Sequence, residues 1–341
     1  MAQPERFSGQ VNDQWLARHT EEIIDPALPI VDPHHHLWVR DGNTYLLEQL
    51  LSDLTSGHAV RATVFEECHS MYRPDGPVEE RSLGESEFVT GFAAMGASGT
   101  FGSARFCARM VGNVDLNLGA RAKPLLERHC AVSGGRFAGA RYSTAWHSHE
   151  RIHKVAPRAG ILEEAAFRAG FACLAPLALV FDAWVYHTQL DEVGALAAAF
   201  PGTTIVLNHV GSPILGGPYA GRFDDAFAEW RGGMARLAQQ PNVTVKLGAL
   251  PIRLPGAASG SRDLPPSSED VATAWRPFIE TSIGLFGAGR CMFESNFPVQ
   301  KRWCSYAVVW NAFKRLAAGA SQDERATLFE GTAARVYGVP S

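Results

Sequence analysis

Three consecutive histidines close the first apolar run of the chain, "IVDPHHHLW", from Ile30 to Trp38. Side chains alternate across an extended strand, so His34 and His36 share one face and His35 turns to the other. The triplet reads as an H-x-H pair with a bystander, and Asp32 falls on the pair's face one step deeper. Two imidazoles on one face can hold a metal ion or bind an anionic group. Groups of the same kind end other apolar runs. His209 closes the apolar part of "IVLNHVGSP", and "CMFESNFPV" ends with Glu294 and Asn296, two apart and therefore on one face. "VFEECHS" supplies Glu66, Glu67 and His69, and "GARYSTAWHSHE" supplies Arg141, His147 and His149. "VFDAWVYH" supplies Asp182 and His187, and "VTVKL" supplies Lys246. So many polar groups are poor filling for a core, where apolar side chains need no partner.

The elements that would position these groups are eight short apolar runs. Strands are expected near Ile30–His34, Val60–Glu67, Phe106–Val111, Phe137–Tyr142, Leu177–Asp182, Thr204–His209, Val243–Leu247 and Cys291–Asn296. Most are nearly continuous in apolar residues, as strands buried on both faces are. Helical patterns separate them, and the last, "SQDERATLFEGTAARVYG", opens with Ser321 and Glu324 at capping-box spacing. Eight strands alternating with helices predict an α/β fold, a single-domain (β/α)8 TIM barrel over residues 30–341 behind an arm over residues 1–29. Such barrels carry their chemistry at the C-terminal ends of the strands, where the polar groups above fall. Two insertions, 70–104 and 251–268, follow strands and are expected as long loops at that mouth.

Not every polar residue there reads as functional. His149 and His153 suit an exposed loop, His35 suits packing, and His58, His69 and His129 receive no role. Trp38, Trp146 and Trp184 fit rim packing as well as a pocket wall. Arg141 and Arg73 are candidates for anchoring a substrate carboxylate, because a guanidinium grips one in a two-pronged fork.

Composition narrows the class. Of 341 residues, 46% are hydrophobic and 19% charged, which favours one compact body over two small ones. A net charge of −4 without a basic cluster argues against nucleic acid as a partner. The longest greasy run, Phe171 to Trp184, is interrupted by Pro176 and Asp182, which argues against a membrane span. The opening residues lack the apolar core of a signal peptide, and none of the six cysteines forms a C-x-x-C pair; both suit a cytoplasmic protein with reduced thiols. A small molecule is the expected partner, with a homo-oligomer allowed for.

The H-x-H pair, "LNHVGSP" and "FESNFPV" together resemble the amidohydrolase superfamily, and within it the amidohydrolase-2 branch of lactonase-like barrels. The resemblance runs from Ile30 to Gly338. It implies a hydrolase of an ester-type substrate, such as a lactone of a sugar acid or of a carboxylated ring. It also implies His34, His36 and His209 as ligands of one divalent metal ion, zinc first, with a metal-independent route left open. Strand five offers Asp182 where the superfamily has a ligating histidine, and strand four lacks the lysine of two-metal members. Asn296 stands where an aspartate normally activates water, and an amide cannot act as a general base. Three readings follow: another carboxylate (Glu294 first, then Glu67 or Asp182) takes the proton; a metal makes hydroxide directly; or the barrel only binds small anions. The residues expected to act are His34, His36, His209, Glu294 and Asn296, with Arg141, His147, Asp182, Arg73 and Glu67 around the substrate. A non-oxidative decarboxylase on the same fold is the alternative.

Overall fold

In the computed structural model, residues 11–40, 43–252 and 263–340 are described. Eight parallel strands follow one another around one sheet in chain order. They are β1 (Pro29–His35), β2 (Ala59–Glu66), β3 (Arg105–Asn113), β4 (Phe137–Arg141), β5 (Val180–Ala183), β6 (Ile205–Leu207), β7 (Val243–Leu247) and β8 (Cys291–Phe293). The ring closes through backbone bonds between the last and first strands' ends: His36 N–H donates to Phe297 O at 2.7 Å and Asn296 N–H to His34 O at 2.9 Å. The crossover helices are α1 (Leu47–Leu54), α2 (Leu83–Ala97), α3 (Ala122–Val132), α4 (Ala165–Phe171), α5 (Leu190–Ala199), α6 (Phe223–Leu237), α7 (Ser268–Phe286) and α8 (Tyr306–Leu316). The chain is therefore the expected (β/α)8 barrel. The segment before it lies across α7 and α8, where Glu21 accepts from Ser268 N–H at 2.6 Å and Ile24 N–H donates to Asn311 Oδ1 at 2.9 Å.

Several boundaries differ from the sequence reading for local reasons. Ala178 is left-handed, at φ 53°, so the fifth strand starts only at Val180. The sixth ends at Leu207 because His209 and Val210 are both left-handed, and the eighth ends before Asn296, which has φ 52°. The segment 70–104 is not one long loop, since it contains α2. That helix is hard to see because its buried face mixes Gly84, Glu85, Ser86, Ala93 and Gly96 with only two large apolar residues, Leu83 and Val89. The small side is required: a Cβ on Gly96 would stand 2.9 Å from Phe106 O. Of the second insertion, residues 253–262 lie outside the described residues, and Ser268 already opens α7 with Ser267 as its cap. The capping box of Ser321 and Glu324 forms as expected, at 2.9 and 3.2 Å.

The barrel interior is layered. An apolar layer of Val31, Ala62, Val64, Val111, Ala138, Val180, Val206 and Met292 packs with Tyr337 and Val339 of the C-terminal segment. Two residues further along their strands come Glu66, Asp182, Asn208 and Glu294. Alternation keeps each on the face of its apolar predecessor, one step nearer the mouth. Among the described residues no helix is long and apolar enough to cross a membrane. All six cysteines are free thiols.

Candidate active site

The polar layer is organised around Glu294, whose side chain is fully buried. Its Oε1 accepts the His209 backbone N–H at 3.0 Å and lies 2.7 Å from His209 Nδ1. Its Oε2 lies 2.8 Å from His34 Nδ1. The two imidazoles sit with ring centroids 4.7 Å apart. His209 reaches this position by a left-handed turn at φ 55°, ψ 40°, followed by Val210 at φ 47°. A β-branched residue in that region carries strain that the surrounding packing must hold. Trp230 Nε1–H does so in part, donating to Val210 O at 2.8 Å. Trp184 meets the His209 ring edge-on at 6.3 Å.

Beneath the histidines is a buried charge network. Lys246 Nζ contacts Glu66 Oε2 at 2.8 Å, Asp182 Oδ1 at 2.7 Å and His34 Nδ1 at 3.3 Å. Asp182 also accepts from Asn208 Nδ2 at 2.8 Å and from the Tyr337 hydroxyl at 2.9 Å. Arg141 donates from Nε to Glu67 Oε1 at 2.7 Å, lies 3.3 Å from Glu66 Oε1, and reaches Glu67 O and, at 3.4 Å, Asn208 Oδ1. Glu66, Glu67, Asp182 and Glu294 are thus buried together, with Arg141 and Lys246 as the buried cations among them in the described residues. Burial, helped by the charge of Lys246, holds His34 well below its ordinary pKa. Burial and Arg141 do the same for His36, so both rings are neutral at pH 7. Burial, then the charge of Asp182, pushes Glu66 up to about 8.

The H-x-H pair does turn inward, and His35 packs outward, with Nε2 2.8 Å from Thr63 Oγ1 and its ring edge-on to Phe65. Asp32 departs from the expected face. A register break between Asp32 and His35 interrupts the alternation, at a proline that has no N–H to give the ladder. Asp32 instead accepts from Ser295 N–H at 3.1 Å and the Tyr306 hydroxyl at 3.0 Å, holding the β1–β8 seam. Asn296 follows the end of β8, at φ 52°, and its side chain also reaches the inward-facing pair. Its Oδ1 meets His36 Nε2 at 3.1 Å.

The groups able to hold a metal also differ from His34, His36 and His209. Both ring nitrogens of His36 have protein partners, since Nδ1 lies 2.8 Å from Glu66 O. The structure gathers His34, His209 and Glu294 instead, with one ligand atom of each within 4.8 Å of the others. Two imidazoles and a carboxylate form a donor set used by catalytic zinc. The excess of buried carboxylates is what a divalent cation would balance, and His34 Nε2, fully buried, has no hydrogen-bond partner. On these grounds the residues fit a metal ion.

Other expected residues lie elsewhere or are already engaged. Arg141 directs Nε and Nη2 to Glu67, with Nη1 3.4 Å from Asn208 Oδ1; the charges of Glu67 and Glu66 outweigh burial and hold it above its ordinary pKa. Arg73 pairs with Glu87 on the surface, with Nε 3.1 Å from Oε2. His147 accepts from the His149 backbone N–H at 3.0 Å, apart from the cluster. Asp182 is beneath the site, on Lys246 and Tyr337, rather than at a substrate's edge. Lys246 and Glu66 stand out in the sequence only as polar groups at strand ends with no assigned role, and Asn208 is not singled out at all. A lone lysine inside the apolar "VTVKL" and the period-two step from Val64 to Glu66 were the signals for the first two.

The comparisons with known proteins agree with this architecture. The family model described as amidohydrolase matches residues 31–339. The chain is 31% identical to the uncharacterized protein y4mH of Sinorhizobium fredii, over 92% of this chain and 99% of that one. It is 32% identical to L-fucono-1,5-lactonase of Burkholderia multivorans, over 68% of this chain and 72% of the relative. A crystal structure of an amidohydrolase from Burkholderia multivorans with bound zinc superposes with a TM-score of 0.69 at 26% identity, covering 91% of this chain and 99% of that one.

Proposed function

The chain belongs to the amidohydrolase family, and from that premise we propose that it hydrolyses a small lactone, with water attacking the ring carbonyl at the barrel mouth. The observation that carries this reading is the Glu294 carboxylate lying against both His34 and His209. The carboxylate holds His209 in place and is the group best placed to accept a proton, directly or through that ring. Neutral His34 presents its unpartnered Nε2 to the reacting group. Asn296 holds His36 and takes no proton. A divalent ion, zinc first, would be held by His34, His209 and Glu294, and when bound it supplies polarisation of the carbonyl and a more acidic water. The lactonase name of the Burkholderia relative supports the same reaction class.

The decarboxylase alternative needs a cation free to grip a carboxylate, and Arg141 is already taken by Glu67. Among the three sequence-based readings, the ring of close proton-accepting groups favours catalysis over mere binding of small anions. Free thiols throughout fit a cytoplasmic location.

The test is hydrolysis of a lactone panel by the purified protein, with carbon dioxide and metal content measured in parallel. Ring opening without carbon dioxide release and one metal per chain are expected, with the rate falling after chelation and returning with zinc. No hydrolysis of any lactone by the metal-loaded protein sinks the proposal, and two metals per chain exclude the single site.

A further inference from the structure

At the end of β2, three buried oxygen atoms have no hydrogen bond. Glu67 and Glu85 are 1% and 2% exposed. Glu67 gives Oε1 to Arg141, while its Oε2 makes no hydrogen bond and has His69 Nε2 at 3.5 Å. Glu85 gives Oε1 to the backbone N–H groups of Cys68 and Ser70, at 3.1 and 2.7 Å, and its Oε2 is unpartnered. The buried Tyr72 hydroxyl is unpartnered too. The three are gathered about the segment 67–72. The Tyr72 ring stands 5.4 Å from that of His69, whose side chain is 56% exposed and forms the outer edge.

We propose that Glu67, Tyr72 and Glu85 form a subsite for a substrate hydroxyl, so that this enzyme favours a neutral, hydroxylated lactone over a carboxylated one. This rests on the hydrolase reading above. Pinning the loop accounts for Oε1 of Glu85 and ion pairing for Oε1 of Glu67. The exposed His69 lies within ion-pair distance of Oε2 of Glu67, but nothing accounts for Oε2 of Glu85 or the Tyr72 hydroxyl, and buried groups of this kind normally find partners. Burial, then the charge of Glu67, pushes Glu85 up to about 8, so at neutral pH it keeps its proton. Arg141 and His69 outweigh burial and keep Glu67 ionised. A carboxylate beside a carboxylic acid and a phenol suits a hydroxyl, which donates to the first and accepts from either of the others. A ligand carboxylate would meet the charge of Glu67 with the Arg141 fork already engaged. The subsite adjoins the reacting cluster through Arg141 and Glu66, whose Oε2 is 3.9 Å from His34 Nδ1.

The test compares wild type with Tyr72→Phe, which removes an oxygen that makes no hydrogen bond and so leaves the fold intact. Three lactones are used: a polyhydroxylated aldono-γ-lactone, γ-butyrolactone and its γ-carboxylated derivative. Wild type is expected to prefer the aldonolactone. Tyr72→Phe is expected to raise KM for it about tenfold with kcat within about twofold, and to shift γ-butyrolactone by less than about twofold. A preference for the carboxylated lactone, no change in KM, or an equal rise for γ-butyrolactone would each overturn the subsite. If no lactone is hydrolysed, the hydrolase reading fails, and calorimetric binding of the corresponding aldonolactam decides this one. Weaker binding by Tyr72→Phe supports it; equal binding, or none by wild type, overturns it.

Discussion

His34 and His129 are both fully buried histidines held neutral by their surroundings, yet their nitrogens are treated in opposite ways. His129, between α2 and α3, has Nε2 3.2 Å from Ser82 Oγ and Nδ1 2.8 Å from Ser86 Oγ. His58 is similarly closed, with Lys314 Nζ at 2.8 Å and Ala307 O at 3.1 Å. His34 instead has two charged neighbours crowded on Nδ1 and nothing on Nε2. A histidine whose valences are filled by hydroxyls and carbonyls fixes the distance between two elements. One left open beside a carboxylate is held ready for another molecule. Burial alone does not separate the two classes; the partners do.

The largest expected effect breaks the open class at its centre. Glu294→Gln keeps shape and burial but loses the negative charge against both imidazoles. kcat should fall by about a thousandfold or more, while the melting temperature moves little. Full activity would remove Glu294 from the chemistry. Next comes the charge beneath. Lys246→Met leaves Asp182 buried without its cation and Glu66 without its hydrogen-bond donor, and unfolding free energy should drop by about 3–5 kcal/mol. Denaturant titration measures it, and Asp182→Asn in the same chain should restore part of the loss. Unchanged stability would mean that these carboxyls are neutral without the lysine.

The closed class predicts a pH effect of known sign. Burial holds His129 at about 3 in the folded chain, against an ordinary value of 6.5. The unfolded chain therefore takes up the proton first. The stabilisation is complete above about pH 6.5 and is lost as pH falls toward 3, at about 1.4 kcal/mol per unit. His129→Gln, with hydrogen bonds to both serines still possible, should flatten the acid side of the stability profile and leave kcat unchanged near neutrality. An identical acid slope in the variant would show that this ring titrates in the fold.

The contrast also explains how much the sequence reveals. The eight strands are legible because each is a short apolar run, and their order follows from the alternating helices. His34, His209 and Glu294 are legible because a polar residue ending such a run is conspicuous. What escapes is whatever depends on the end of a strand. Alternation correctly sends His35 outward, but it misplaces Asp32 across the break at Pro33. The partner of Arg141 escapes for another reason: nothing local announces that Glu67 takes two of its donors. Helix α2 hides because glycine, serine and glutamate face its neighbours. Backbone left-handedness at His209, Val210 and Asn296 has no glycine to signal it.

His35 tests the division most finely, because it stands between the classes. One nitrogen is satisfied by Thr63, and the other, Nδ1, has no hydrogen-bond partner although the ring is buried. If an open nitrogen were enough to mark a working histidine, His35 would qualify. Its position argues otherwise: the ring packs among Phe65, Thr63 and the Cys107 thiol, 3.7 Å from Nε2, on the helix side of β1. No carboxylate is positioned on either nitrogen by a hydrogen bond or ion pair among the described contacts. His35→Ala should therefore cost about 1–3 kcal/mol of stability through lost packing and the lost hydrogen bond to Thr63, with kcat within about threefold of wild type. Thermal unfolding and initial rates on the same preparation separate the two. A folded His35→Ala protein without turnover, alongside an active His34→Ala, would reverse the assignment of the strand's faces and with it the distinction between open and closed histidines.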